Sequence, residues 1–204
     1  MKYKIILLLV SLCMLMPAYA AETASQILDK AVSNINKKSN LSCSFSISGD
    51  GTALSGKLVS AKNKFKITTP AASTWYDGTT MWTANNSSKE ITVVNPTVQE
   101  VNETNPFSYL NSYKTDYKVY FSKRKNNSSY LVLLNPKKRN SEIKAIEIAL
   151  NKETLTPEHF IIRDRNDKII SVTISSLTFN NSIKPSMFTC PVKSMTGFEV
   201  IDLR

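Results

Sequence analysis

Apolar and polar residues alternate with a period of two along most of the chain. The first such stretch contains Cys43, Phe45 and Ile47, which are separated by serines. The alternation recurs in later segments, namely residues 64–68, 117–122, 146–150 and 170–175. Successive residues of a strand point to opposite faces of its sheet, so this pattern is typical of strands with one apolar face. The turn signals between segments predict about eleven strands, joined in a large antiparallel sheet.

Two segments have helical periodicity instead. Over residues 23–36 the apolar positions recur every three or four residues, and Thr23 with Gln26 forms a candidate capping box at the start. Over residues 97–113 the pattern predicts two short helical turns divided by Asn105 and Pro106. No repeat or linker is visible, so residues 21–204 are predicted to form a single domain.

Helical cover is thin for so much apolar strand surface. The sheet must therefore either close on itself around a packed interior or stay partly open around a cavity that accepts apolar ligands. The pattern alone favours the packed interior, because an apolar strand face is usually core. The predicted fold class is mainly β with a helical cover.

The N-terminus has the features of an export signal. Lys2 and Lys4 precede an apolar run over residues 5–16, and Ala18 and Ala20 stand where a signal peptidase requires small residues. The run is about twelve residues long, whereas a bilayer needs about twenty. We therefore predict a signal peptide over residues 1–20 and a periplasmic mature protein.

Export changes the interpretation of charge and cysteine. The formal net charge is +10, and outside the cytoplasm such a charge suits anionic headgroups or an acidic partner better than nucleic acid. The basic clusters at residues 123–125 and 137–139 are expected to be mainly solvated loops. After cleavage Cys43 and Cys190 remain, and they form either a disulfide or two buried thiols.

Catalytic groups are scarce. The chain has one histidine, His159, and 5 glycines, and no nucleophile stands beside a base in its sequence. We therefore predict no enzyme activity, no catalytic residue, no metal site and no cofactor. A monomer is expected.

Several motifs resemble those of one known family. Residues 75–82, followed by Asn86 and Glu90, resemble a hairpin of the outer-membrane lipoprotein carrier protein (LolA) family. The order of the signal peptide, first helix, strands and the Pro106-Phe107 insertion agrees with that family. Residues 187–191 and 197–200 resemble its closing segment.

The resemblance implies an open half-barrel of eleven antiparallel strands whose concave apolar face lies under a helical lid. It also implies binding of acylated lipoproteins, which an inner-membrane ABC transporter releases and an outer-membrane receptor receives. We predict that the lipid-binding cavity is lined by Ile35, Phe45, Ile47, Phe65, Ile67, Trp75, Met81, Trp82, Phe107, Leu110, Ile146 and Ile148.

One position departs from the family pattern. Members often have an arginine that holds the lid shut, and here Ala61 and Lys62 occupy its place. A lysine lacks the bidentate geometry of arginine, so this lock is in doubt. Besides the carrier, the fold suits a lipid-responsive periplasmic sensor module, which would be expected to have a second domain for its partner. A lipid-processing enzyme is the third alternative.

Overall fold

The first helix is fixed at its start by side-chain caps. The structure, a computed structural model, describes residues 21–38, 40–179 and 182–204, so the predicted signal peptide lies outside the described residues. Helix α1 spans Ala24–Lys37. Thr23 Oγ1 accepts a hydrogen bond from the Gln26 backbone N–H at 3.2 Å, and Gln26 Oε1 accepts one from the Thr23 N–H at 2.8 Å. The predicted helix and its capping box are confirmed.

Strands make up most of the remaining chain. Twelve strands occur within the described residues: β1 Asn40–Gly49, β2 Thr52–Ala61, β3 Lys64–Thr68, β4 Ala72–Tyr76, β5 Met81–Asn85, β6 Glu90–Val94, β7 Tyr117–Phe121, β8 Ser129–Pro136, β9 Ile143–Asn151, β10 Pro157–Asp164, β11 Ile169–Phe179 and β12 Glu199–Asp202. They form one sheet in the order β12-β6-β5-β4-β3-β2-β1-β11-β10-β9-β8-β7.

The sheet is open, with β12 and β7 at its two edges. Strands β1 to β11 pair antiparallel, as predicted, but β12 pairs parallel with β6. Parallel pairing requires a crossover connection, and the segment before β12 supplies it by passing over one face of the sheet. The expected half-barrel is confirmed, with one more strand than the sequence predicts.

A helical insertion lies between β6 and β7. Helix α2 spans Val98–Thr104, a 3-10 turn spans Pro106–Ser108, and helix α3 spans Tyr109–Asp116. Proline lacks a backbone N–H and cannot continue α2, so the chain turns there. The predicted division at Asn105 and Pro106 is confirmed. We call residues 98–116 the lid. Within the described residues no helix is long and apolar enough to cross a membrane.

The two faces of the sheet bury different clusters. The inner core lies between the sheet, α1 and the lid, and it includes Phe65, Met81, Ile146 and Ile148. The outer cluster lies on the opposite face and comprises Trp75, Ala84, Ile91, Val93 and Cys190, with Trp82 and residues of the C-terminal crossover packed against it.

The two tryptophans are on the outer face, so their predicted place in the cavity is wrong. Trp75 and Trp82 are directly opposed in the β4–β5 ladder and therefore share a face. Their chain neighbour Tyr76 points the other way, and its ring centroid lies 5.3 Å from that of Phe65 in the inner core. The crossover covers the tryptophans, and this contact is not visible in the local pattern.

Cys43 and Cys190 are both buried and free. Cys43 belongs to the inner core and Cys190 to the outer cluster, so the sheet separates them. Of the two alternatives the sequence left open, the structure has the buried thiols and no disulfide. Burial raises the pKa of Cys43 to about 12 and that of Cys190 to about 11, so both stay protonated near neutral pH.

Candidate functional site beneath the lid

An apolar cavity of about 160 Å³ lies between the inner face of the sheet and the lid. Its walls come from β1, β2, β3 and β11 because alternate residues of each strand point inward. The lining residues are Phe45, Ile47, Leu54, Leu58, Ile67, Thr69, Thr104, Pro106, Phe107, Val172 and Ile174. We call this space the apolar cavity.

A glycine makes room for one of its walls. Gly56 stands opposite Phe45 in the β1–β2 ladder. A Cβ atom at Gly56 would lie 2.7 Å from the Phe45 ring and 2.5 Å from the backbone oxygen of Thr68. The absent side chain therefore allows the Phe45 ring to lie against β2 beside the cavity.

A second cavity, of about 410 Å³, lies where the C-terminal end of α1 approaches the lid and the β2–β3 turn. Five of its lining side chains are carboxamides, and we call it the asparagine cavity. It is lined by Val32, Ile35, Asn36, Asn40, Leu41, Ser60, Lys62, Asn63, Asn105, Phe107, Leu110 and Asn111.

Phe107 lines both cavities and separates them. Its ring centroid lies 5.6 Å from that of Phe160, at an interplanar angle of 56°. Such a tilted aromatic contact contributes about 1 kcal/mol beyond apolar burial. Phe107 therefore lies at the boundary between the apolar cavity and the asparagine cavity.

The lid is fastened to α1 by one carboxylate. Asp29 accepts a hydrogen bond from the Tyr113 hydroxyl, and its Oδ1 lies 3.0 Å from Lys114 Nζ. The Tyr113 hydrogen bond is the largest effect and lowers the pKa of Asp29; burial, the next largest, raises it, and the Lys114 contacts lower it further, so the net shift is downward. The pKa of Tyr113 is raised, mainly by burial and secondly by the hydrogen bond to Asp29. We call this group the Asp29 clasp.

The clasp differs from the lock that the resemblance implies. Lys62 is exposed, stands in the β2–β3 turn with φ of 55°, and lines the asparagine cavity. Within the described residues, no hydrogen bond joins its side chain to the lid. Asp29 and Tyr113 are 84 positions apart, so no local motif indicated their contact.

The predicted site residues fall into three groups. Phe45, Ile47, Ile67 and Phe107 line the apolar cavity, while Ile35 and Leu110 line the asparagine cavity.

The second group consists of Phe65, Met81, Ile146 and Ile148, which are at most 7% exposed and packed in the inner core. The third is the pair of tryptophans on the outer face. The sequence pattern did not identify the other seven lining residues of the apolar cavity. Four of these, Leu54, Leu58, Val172 and Ile174, alternate along β2 and β11, which was a usable signal.

The sheet, its helical cover and the cavity between them define a mainly β half-barrel with a lidded apolar interior. The family model described as "Outer membrane lipoprotein carrier protein LolA" matches residues 15–166. The chain therefore belongs to the LolA family. A search of curated protein sequences gives no significant match.

Solved structures with the same fold are distant in sequence. An uncharacterized conserved protein from Thermus thermophilus has a TM-score of 0.59 and 12% identity, covering 88% of this chain and 98% of that one. A DUF1329 family protein from Desulfovibrio piger has a TM-score of 0.51 and 13% identity, covering 84% and 99%. A LolA superfamily protein from Nitrosomonas europaea has a TM-score of 0.48 and 12% identity, covering 84% and 100%. The first two likenesses show the fold alone.

Proposed function

We propose that this protein is a periplasmic carrier that binds the acyl chains of lipoproteins and transfers them from the inner to the outer membrane. The observation that carries the proposal is the apolar cavity, which lies directly beneath a lid. Family membership supports the same substrate class. In this proposal an inner-membrane ABC transporter supplies the cargo, and an outer-membrane receptor accepts it.

The cavity volume requires the lid to move during binding. An apolar cavity of about 150 Å³ holds a ligand the size of benzene, and the apolar cavity measures about 160 Å³. Three acyl chains are many times larger than benzene. The described conformation is therefore the closed state of such a carrier, and cargo enters as the lid moves away from the sheet.

The energetics favour exchange over permanent storage. Burial of an acyl chain gains about 0.8 kcal/mol per methylene, and a triacylated anchor carries about forty of them. Complete burial would exceed the ceiling of about 18–21 kcal/mol for non-covalent binding. Partial coverage of the chains and the cost of opening the lid reduce the gain, which allows onward transfer.

The test is release of lipoproteins from inner-membrane spheroplasts. Added mature protein is expected to bring acylated lipoproteins into the supernatant, and native mass spectrometry of the detergent-free complex should show one acylated cargo per protein. A supernatant without lipoproteins, together with protein that is always empty, would contradict the carrier function. Regulated binding of lipid without release would instead support the sensor alternative.

A further inference from the structure

Asn105 places a hydrogen-bond donor at the boundary between the two cavities. It immediately precedes the Pro106–Ser108 turn and is 3% exposed. Its Oδ1 accepts a hydrogen bond from the Phe107 backbone N–H at 3.1 Å. A backbone N–H can only donate, so this contact identifies the oxygen of the carboxamide and leaves the NH₂ group on its other side.

The NH₂ group has no partner within the described residues. Asn105 lines the asparagine cavity, and among the described residues its side chain makes one hydrogen bond, the one to Phe107. The one fully occluded side-chain polar atom without a partner in the described part of the chain is Ser112 Oγ. The Asn105 NH₂ therefore remains reachable from the cavity. A buried donor without a partner costs free energy unless a ligand or water accepts its hydrogen bond.

The position of this donor suits the polar end of an acyl chain. Phe107, which separates the cavities, directly follows the Asn105-Pro106 pair, so a chain inserted past its ring would place methylenes in the apolar cavity. The carbonyl that ends the chain would then lie beside Asn105. An ester or amide carbonyl accepts hydrogen bonds and cannot donate them, which matches an N–H donor.

We propose that the asparagine cavity binds the carbonyl-bearing head of the acylated cargo, with Asn105 Nδ2 donating a hydrogen bond to an acyl ester carbonyl. This inference rests on the proposed carrier function and assigns the polar part of its substrate. Asn36, Asn40, Asn63 and Asn111 surround the same space with carboxamides, and Lys62 is its one lining cation among the described residues. Carboxamides match peptide groups in both donor and acceptor capacity, so the cavity suits a lipopeptide better than a phosphate headgroup.

The test compares ester and ether forms of one ligand. The probes are a synthetic lipopeptide with a triacylated N-terminal cysteine and its analogue in which ethers replace the two esters. Affinity is measured by displacement of a fluorescent fatty acid without detergent. The wild-type protein is expected to bind the ester form about fivefold more tightly, because the ether form lacks the carbonyl that accepts this one hydrogen bond.

Two variants isolate the donor. Asn105→Asp keeps an oxygen that can cap the Phe107 N–H, and Asn105→Gly leaves a residue type that helix starts accept at little cost; neither retains a side-chain donor. Neither variant is expected to bind the ester form more tightly than the ether form, and Asn105→Gly should keep the wild-type affinity for the ether form. Asn127→Ser is the matched control, because Asn127 is an exposed asparagine that lines neither cavity. It should keep the wild-type preference.

The outcomes separate the two proposals. A full ester preference in both Asn105 variants, or no preference in the wild type, would overturn the role of Asn105 and leave the carrier function intact. Binding of neither lipopeptide by the wild type would overturn the carrier function and this inference with it. A phospholipid with the same chains supplies the other source of acyl esters. If it binds as tightly as the lipopeptide, the assignment of the cavity to lipoproteins is wrong.

Discussion

A negative charge at Ile67 is expected to abolish acyl binding without unfolding the protein. Ile67 lies on β3, is partly exposed, and lines the apolar cavity. In Ile67→Glu a carboxylate takes the place of one apolar side chain in the wall of the apolar cavity. In the empty protein it can stay hydrated through the cavity, but an inserted acyl chain would remove that water. The substitution therefore acts on binding more strongly than on folding.

The magnitude follows from the cost of dehydrating the carboxylate. Burial of an ion costs several kcal/mol in proteins even after relaxation. A penalty of about 3 kcal/mol corresponds to about a hundredfold loss of affinity. The free energy of unfolding should fall by about 1–2 kcal/mol, because the buried part of one isoleucine side chain is lost.

The assay is displacement of a fluorescent fatty acid, with thermal unfolding measured in parallel. Thr68→Glu is the matched control, since Thr68 is the next residue, is exposed and points to the outer face. It should bind like the wild type. Phe65→Glu is expected not to fold, because Phe65 is 1% exposed and its ring packs at a tilt against that of Tyr76. An Ile67→Glu affinity within about threefold of wild type would show that acyl chains bind elsewhere.

Three further predictions concern the lid and the cavity wall. Tyr113→Phe removes a hydrogen bond to a carboxylate worth about 1.5 kcal/mol, so hydrogen exchange of lid amides should be about tenfold faster, and an unchanged rate would contradict the Asp29 clasp. The folded-state pKa of Asp29 is lowered below 3.8, so the clasp is fully present at higher pH and is lost as pH falls through that depressed pKa. Lid protection should therefore stay constant from about pH 5 to 8 and fall in stronger acid, a dependence that Asp29→Asn should remove. Gly56→Ala should lower the free energy of unfolding by about 2 kcal/mol in urea titrations, because its Cβ would meet the Thr68 oxygen, and an unchanged midpoint would refute this.

Period-two alternation predicted which face a residue takes along β3, but not how deeply it is buried. Phe65 and Ile67 both point inward, as the pattern indicates. Tyr76 packs beside Phe65, whereas Ile67 borders a space left open beneath the lid. Depth depends on the neighbours that cover a face, and those neighbours come from distant parts of the chain.

The tryptophans show the limit of a motif. The hairpin over residues 75–82 indicated the family, but it did not show which of its side chains face the cavity. A shift of one residue in register moves a side chain to the other face of the sheet. The crossover that covers Trp75 lies more than a hundred positions further along the chain. The Asp29 clasp likewise arises from a contact between distant residues. The Asn105 cap is local, but the cavity that Asn105 lines is built from distant segments, which a single sequence does not display.

Site-specific photo-crosslinking can show directly whether acyl chains bind beneath the lid. A benzophenone amino acid replaces Ile67 in one variant and Thr68 in another, and cells producing each are irradiated. If acyl chains bind beneath the lid, position 67 should crosslink to the acylated part of lipoproteins and position 68, on the outer face, should not. Equal crosslinking from both positions, or crosslinks from position 68 alone, would contradict binding beneath the lid.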